Sequence, residues 1–147
     1  MPHPGQEIKR GNGFVVRIVS LDDEMLEVEA RYRGDAPLAQ SHYHPSQDEH
    51  FEVLEGRIHA VIDGEELWFD QGETFDIPAS TPHQMAAEGP TRLRWQVRPA
   101  LRTAEFFERF YHALDHGFPE GTTIQDFLAE YSDVFRLTAS EGAASER

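Results

Sequence analysis

The chain contains no cysteine, which excludes disulfides, thiolate metal sites and cysteine nucleophiles. Basic residues are scarce: 13 Lys and Arg stand against 27 Asp and Glu, for a formal net charge of -14. A surface of that sign repels phosphate backbones and anionic lipid, so neither nucleic acid nor membrane is expected as a partner. The acidity is read as a means of staying soluble. No apolar run is long enough to cross a bilayer, and the start Met1-Pro2-His3-Pro4 lacks the apolar core of a signal peptide. Glycine-rich phosphate loops, nucleophile motifs and internal repeats are also missing. A single domain in the cytoplasm is expected from 147 residues of this composition.

What the chain does have is a series of short apolar runs with period-two alternation, each ended by turn residues. Residues 1–13 are polar and glycine-rich and read as a flexible lead-in. From Phe14 the runs are Phe14 to Val19, Leu26 to Tyr32, His50 to Glu55, Arg57 to Ile62, Leu67 to Phe69, Thr74 to Ile77, His83 to Ala87 and Leu93 to Val97. Asp63-Gly64 is a two-residue hairpin signal, because both residues tolerate positive φ. Many short strands over 14–98 predict an all-β sandwich or barrel. The period changes after Pro99. Phe106, Phe107, Phe110, Tyr111 and Leu114 fall at helical spacing, as do Ile124, Phe127, Leu128, Tyr131 and Phe135, so 99–138 reads as two helices with Thr103 as a cap and Gly117 as a stop. Their aromatic stripe is expected to cover the barrel exterior or to build a dimer contact. The small, polar tail 139–147 reads as disordered.

The informative stretch is Ser41-His42-Tyr43-His44-Pro45-Ser46-Gln47-Asp48-Glu49. Residues two apart on a strand share a face, so His42 and His44 can grip one ion, and the turn before Glu49 can return a carboxylate to the same side. A second stretch runs from Gly72 through Pro78 to His83. Together they resemble the paired motifs of the cupin superfamily. His42, His44, Glu49 and Gly56 match the first motif without a gap. Gly72, Pro78 and His83 match the second, with Ser80 where glycine is usual and Ala87 where asparagine is usual. The resemblance implies a cupin-type double-stranded β-helix (jelly-roll) barrel followed by two C-terminal α-helices. It also implies one divalent metal ion per chain on His42, His44, Glu49 and His83. Three neutral imidazoles and a carboxylate suit Zn, Fe, Mn, Ni, Co or Cu.

Strand parity nominates the pocket around that ion. Gln40 shares a face with His42 and His44, Phe51 with Glu49, and Met85 with His83; Trp95, Phe75 and Ile77 are further walls. His50 should face away from the metal, His59 is ambiguous, and His3, His112 and His116 suit the surface. The resemblance implies an enzyme acting on a small organic molecule, of dioxygenase, isomerase or cyclase type, with Glu49 as the candidate catalytic carboxylate as well as a ligand. The alternatives are a non-catalytic cupin that binds or senses a small ligand, and a purely structural metal site. A homodimer is expected, since two-fold dimers are the commonest oligomers.

Overall fold

A computed structural model describes residues 1–138; the tail assigned to 139–147 lies outside the described residues. The strands form two sheets. β1 (Glu7–Lys9), β2 (Val15–Leu21), β3 (Leu26–Tyr32), β5 (Asp48–Glu55), β8 (Thr74–Ile77) and β10 (Thr91–Arg98) make a six-stranded sheet in the order β1-β2-β3-β10-β5-β8. β4 (His42–Tyr43), β6 (Arg57–Ile62), β7 (Glu65–Asp70), β9 (His83–Ala87) and β11 (Arg136–Leu137) make a five-stranded sheet in the order β11-β4-β9-β6-β7. Every pairing is antiparallel. This is the expected β-sandwich of jelly-roll type with two C-terminal helices, α1 (Thr103–His116) and α2 (Ile124–Glu130).

Alternation decides which way each strand faces. On β3, Leu26, Val28 and Ala30 are fully buried while Glu27, Glu29 and Arg31 point outward, and β5 buries Glu49, Phe51 and Val53 in the same manner. The outer face of the six-stranded sheet is a ladder of charge. Glu29 pairs with both Arg17 (2.7 Å) and Arg92 (2.6 Å), Arg92 also reaches Glu55, and Arg94 pairs with Glu52. The Asp63-Gly64 turn joins β6 and β7 with φ of 51° and 83°, the double positive φ of the hairpin signal. Gly56 must be glycine for a different reason: a Cβ there would stand 2.4 Å from the Pro90 carbonyl oxygen.

Four expectations need correction. The lead-in is not loose where it matters: Glu7–Lys9 form β1 against β2, Ile8 is buried, and Gln6, Arg10 and Gly11 bond Glu108 and Asp115 of α1. Second, Tyr131 and Phe135 are not on a helix. α2 starts with a reciprocal capping box between Thr123 and Asp126 and ends at Tyr131, after which tight turns lead to β11 paired with β4. Turn geometry keeps Tyr131 and Phe135 on one side, so the spacing mimicked another helical turn.

Third, the aromatic stripe of α1 faces inward. Phe106 and Phe107 are each 4% exposed, and Phe107 packs on Trp95 inside the sandwich with ring centroids 5.1 Å apart. The helices close the cavity between the sheets instead of covering its outside. Fourth, Thr103 is the first residue of α1 and not its cap: Arg102 holds that place, and the Thr103 hydroxyl accepts from Gln47. Gly117 does end the helix, at φ 95°, with its N–H bonded to the Ala113 carbonyl.

Candidate metal centre

His42 on β4 lies directly opposite His83 on β9 in the register, and their ring centroids are 4.4 Å apart. His44 follows β4 at once, and its ring sits 5.1 Å from His42 and 5.2 Å from His83. The three imidazoles bring one ligand atom each to within 4.8 Å of one another. Glu49 enters from the other sheet. Its Oε1 lies 3.3 Å from Nε2 of both His44 and His83, without the alignment of a hydrogen bond.

The orientation of each ring has a local cause. Nδ1 of His42 meets the Gln40 carbonyl at 2.9 Å, Nδ1 of His83 the Thr81 carbonyl at 2.9 Å, and Nδ1 of His44 the Val134 carbonyl at 2.7 Å. A carbonyl can only accept, so each Nδ1 carries the proton and each Nε2 keeps a lone pair. The indole Nε1 of Trp95 donates to Glu49 Oε2 at 2.9 Å, which leaves Oε1 facing the imidazoles. His44 Nε2 and Glu49 Oε1 are buried and have no hydrogen-bond partner. Enclosed orphan atoms are costly, and two of them meeting among lone pairs fit a shared cation.

Electrostatics point the same way. Burial, then the neighbouring His83 and His44, push the His42 imidazole down to about 3. Burial would raise the Glu49 carboxyl, but His44 and His83 outweigh it and hold the group below the usual carboxylate range. For His44 burial favours the neutral form, and the charge of Glu49 overrides it and moves the imidazole up. The centre therefore holds an ionised carboxylate beside His42 kept neutral and His44 drawn toward its charge.

The cavity around these residues has a volume of about 310 Å³. Gln40, Phe51, Met85 and Trp95 all line it. His50 faces out and bonds Asp76; His59 stacks on Trp68 on the outer side and bonds Glu66. Ser80 adopts φ 66°, the conformation for which glycine is usual in the motif, and its hydroxyl donates to Pro45 while its N–H bonds the His44 carbonyl. The departure from the motif thus ties its two halves together.

Sequence reasoning missed four contributors. Phe135 stacks on His42 at 4.6 Å; Phe106 and Tyr111 line the cavity; and Gln47, 1% exposed, donates to the Pro99 and Ala100 carbonyls and to Thr103. The helical spacing of the aromatics was visible, but the side they face was not. Nothing in the periodicity marks Gln47.

Residues 19–97 match the family model for the cupin domain, more than half of the chain. The chain belongs to the cupin family. Solved structures agree at the level of fold. The cupin resembles KdgF from Halomonas sp. (20% identity, TM-score 0.58, covering 64% of this chain and 86% of that one). It also resembles an RmlC-like cupin from Shewanella frigidimarina (17% identity, TM-score 0.58, covering 67% and 87%). A third similar structure is the cupin domain of Cnp3 from Schizosaccharomyces pombe (11% identity, TM-score 0.53, covering 71% and 74%). No curated protein matches the chain. The family match ends before α1, so the aromatic residues of the two helices lie outside it.

Proposed function

We propose that this cupin is a metal-dependent enzyme acting on a small organic molecule, with one divalent ion on His42, His44, His83 and Glu49. The observation that carries the reading is the set of three Nδ1–H bonds to backbone carbonyls, which turns three Nε2 lone pairs toward one ionised carboxylate. Carbonyl partners of this kind fix the tautomer and raise the basicity of metal-bound histidine. A divalent ion there would supply Lewis-acid polarisation to a chelating substrate. The chain's own groups do the rest. Trp95 holds Glu49, Phe135 holds the His42 ring, and the apolar walls exclude water.

Glu49 is assigned first as a ligand, with proton transfer as its second capacity. Glu49→Gln keeps the size and an acceptor oxygen but removes the charge. It should weaken metal binding, and remetallated protein should still bind ligands. Full metal occupancy with turnover lowered by about two to four orders of magnitude would instead make Glu49 a general base.

A binder or sensor without turnover is favoured by one feature. Among the described residues, apart from the four donors, the titratable groups lining the cavity are Arg10, Tyr32 and Tyr111, and none of these is a carboxylate or imidazole ready to move a proton. Turnover with any metal separates the two readings. The proposal also includes a homodimer and a cytoplasmic location. With the aromatic stripe turned inward, the dimer now rests on Trp68, 43% exposed on the edge strand β7. No helix among the described residues is long and apolar enough to cross a membrane.

A further inference from the structure

The cavity has a second polar end that the metal reading leaves unused. Tyr32 closes β3 and Tyr111 stands on α1, and both line the cavity. Tyr131, by contrast, has its hydroxyl bonded to Glu105 and Arg109. Among the described residues neither Tyr32 nor Tyr111 has such a partner. The unpartnered side-chain oxygens that are wholly enclosed belong to Gln47 and Glu49. The two phenol oxygens therefore reach open space, and the space their side chains line is the cavity.

Both phenols are held in place and held protonated. Phe14 packs on Tyr32 at 4.9 Å and edge-on to Tyr111 at 5.7 Å, and Phe107 stacks on Tyr111 at 5.4 Å. Burial pushes the Tyr32 hydroxyl up to about 12 and moves Tyr111 above its ordinary value as well. Each is thus a hydrogen-bond donor at any ordinary pH. Arg10 lines the same space but is already paired with Asp115 at 3.2 Å, so this end carries little net charge.

The two ends are well separated. Along β10 (Thr91–Arg98), Glu49 lies opposite Val97 and Tyr32 lies opposite Thr91. Between them stand aromatic walls: Trp95 is stacked on Phe51 at 5.4 Å and packed on Phe107 at 5.1 Å. Flat rings fill such a slot with favourable offset or edge contacts. A volume of about 310 Å³ is at the small end for ligand pockets, which suits one fused pair of rings.

We propose that the cavity binds an elongated aromatic molecule whose far end carries an oxygen acceptor, a carbonyl or carboxylate, held by the hydroxyls of Tyr32 and Tyr111. The near end rests on the proposed metal; the far end does not depend on it. The test uses three probes that share one carboxylate and differ only at the other end: 2-naphthoate, 6-acetyl-2-naphthoate and naphthalene-2,6-dicarboxylate. Calorimetry on zinc-loaded protein, with zinc content measured in parallel, gives each affinity. At least one probe with a distal oxygen should bind about tenfold tighter than 2-naphthoate, the gain expected from one or two new hydrogen bonds. Whichever of the two binds better distinguishes carbonyl from carboxylate. The preference should vanish in the double variant Tyr32→Phe, Tyr111→Phe, which keeps both rings. Equal affinities in the unaltered protein, a preference that survives in the variant, or no binding of any probe would overturn the proposal. Zinc near zero with the preference intact would remove the metal reading and leave the tyrosine end standing.

Discussion

At the metal end of the cavity two of the four donors are oriented by their immediate neighbours. His42 and His83 each bond a carbonyl two residues back, and Glu49 is seated by β5 opposite Ile77 and Val97. At the aromatic end the side chains are placed by contacts far apart in the chain. Phe107 meets Trp95, Tyr111 meets Phe14, and Arg10 and Gly11 bond Asp115 across more than a hundred residues. Two bonds cross between the regions: the Val134 carbonyl, on the C-terminal segment, orients His44, and Trp95 donates to Glu49. The same cavity is thus built from a donor set in which His42 and His83 are oriented locally and a wall specified only by tertiary packing. The donor set lies within the family match, as do Tyr32 and Trp95, whereas Phe14 and the two helices lie outside it.

If that division is right, damage to the wall should cost stability more than metal. Phe106 is the place to break it, being 4% exposed and in contact with Phe110, Phe127, Tyr131 and Phe135. Phe106→Ala should destabilise the protein by about 3–5 kcal/mol in denaturant unfolding. The folded fraction should still hold its metal. Metal lost in proportion to stability would show that the two regions act as one.

Trp95 stands where the regions meet, packing on the wall while donating to Glu49. Trp95→Phe keeps an aromatic ring and removes the donor. Metal affinity should fall by about 10–100-fold, the usual effect of losing a group that orients a ligand. An unchanged affinity in a competitive chelator titration would place Trp95 in the wall alone.

A smaller effect should come from outside both regions. Arg92, against some cost of burial, and then Arg17 hold the Glu29 carboxyl below its ordinary value of 4.5. A carboxylate depressed in the folded state contributes stability above its unfolded pKa, and that contribution is lost as pH falls through the folded value. Melting temperature should therefore drop as pH falls below about 4.5, and Glu29→Gln should flatten part of that drop. The pair is partly screened, so the change is at most about 1 kcal/mol. A pH profile that Glu29→Gln leaves unaltered would remove the ladder from the account.

The same division explains what could be read from the sequence. The β-strands, the hairpin at Asp63-Gly64, the stop at Gly117 and the shared face of His42 and His44 depend on alternation, turn residues and short spacings. These are properties of neighbours along the chain. The place of His83 was legible only through the family resemblance, since it joins the site by the pairing of β4 with β9. Glu49 was legible as a charge near the histidines, but its bond to Trp95 depends on β5 pairing with β10. The inward turn of Phe106 and Phe107 was not legible, because a helix with an apolar stripe packs equally well on either side of a sheet. Nor was the end of α2, because Phe135 keeps helical spacing through a turn before β11 forms. Ile8 and Gln47 were missed for want of any pattern: each is one buried residue in a polar stretch.

The central claim is that three imidazoles and Glu49 hold a single metal ion. Elemental analysis of the purified protein, unaltered and with His83→Ala, tests it most directly. His83 is 2% exposed and pairs with His42 across β4 and β9, so its loss removes a donor without opening the barrel. The expected result is close to one divalent ion per chain in the unaltered protein and little or none in the variant, with the fold retained by circular dichroism. Equal metal content in the two proteins would contradict it.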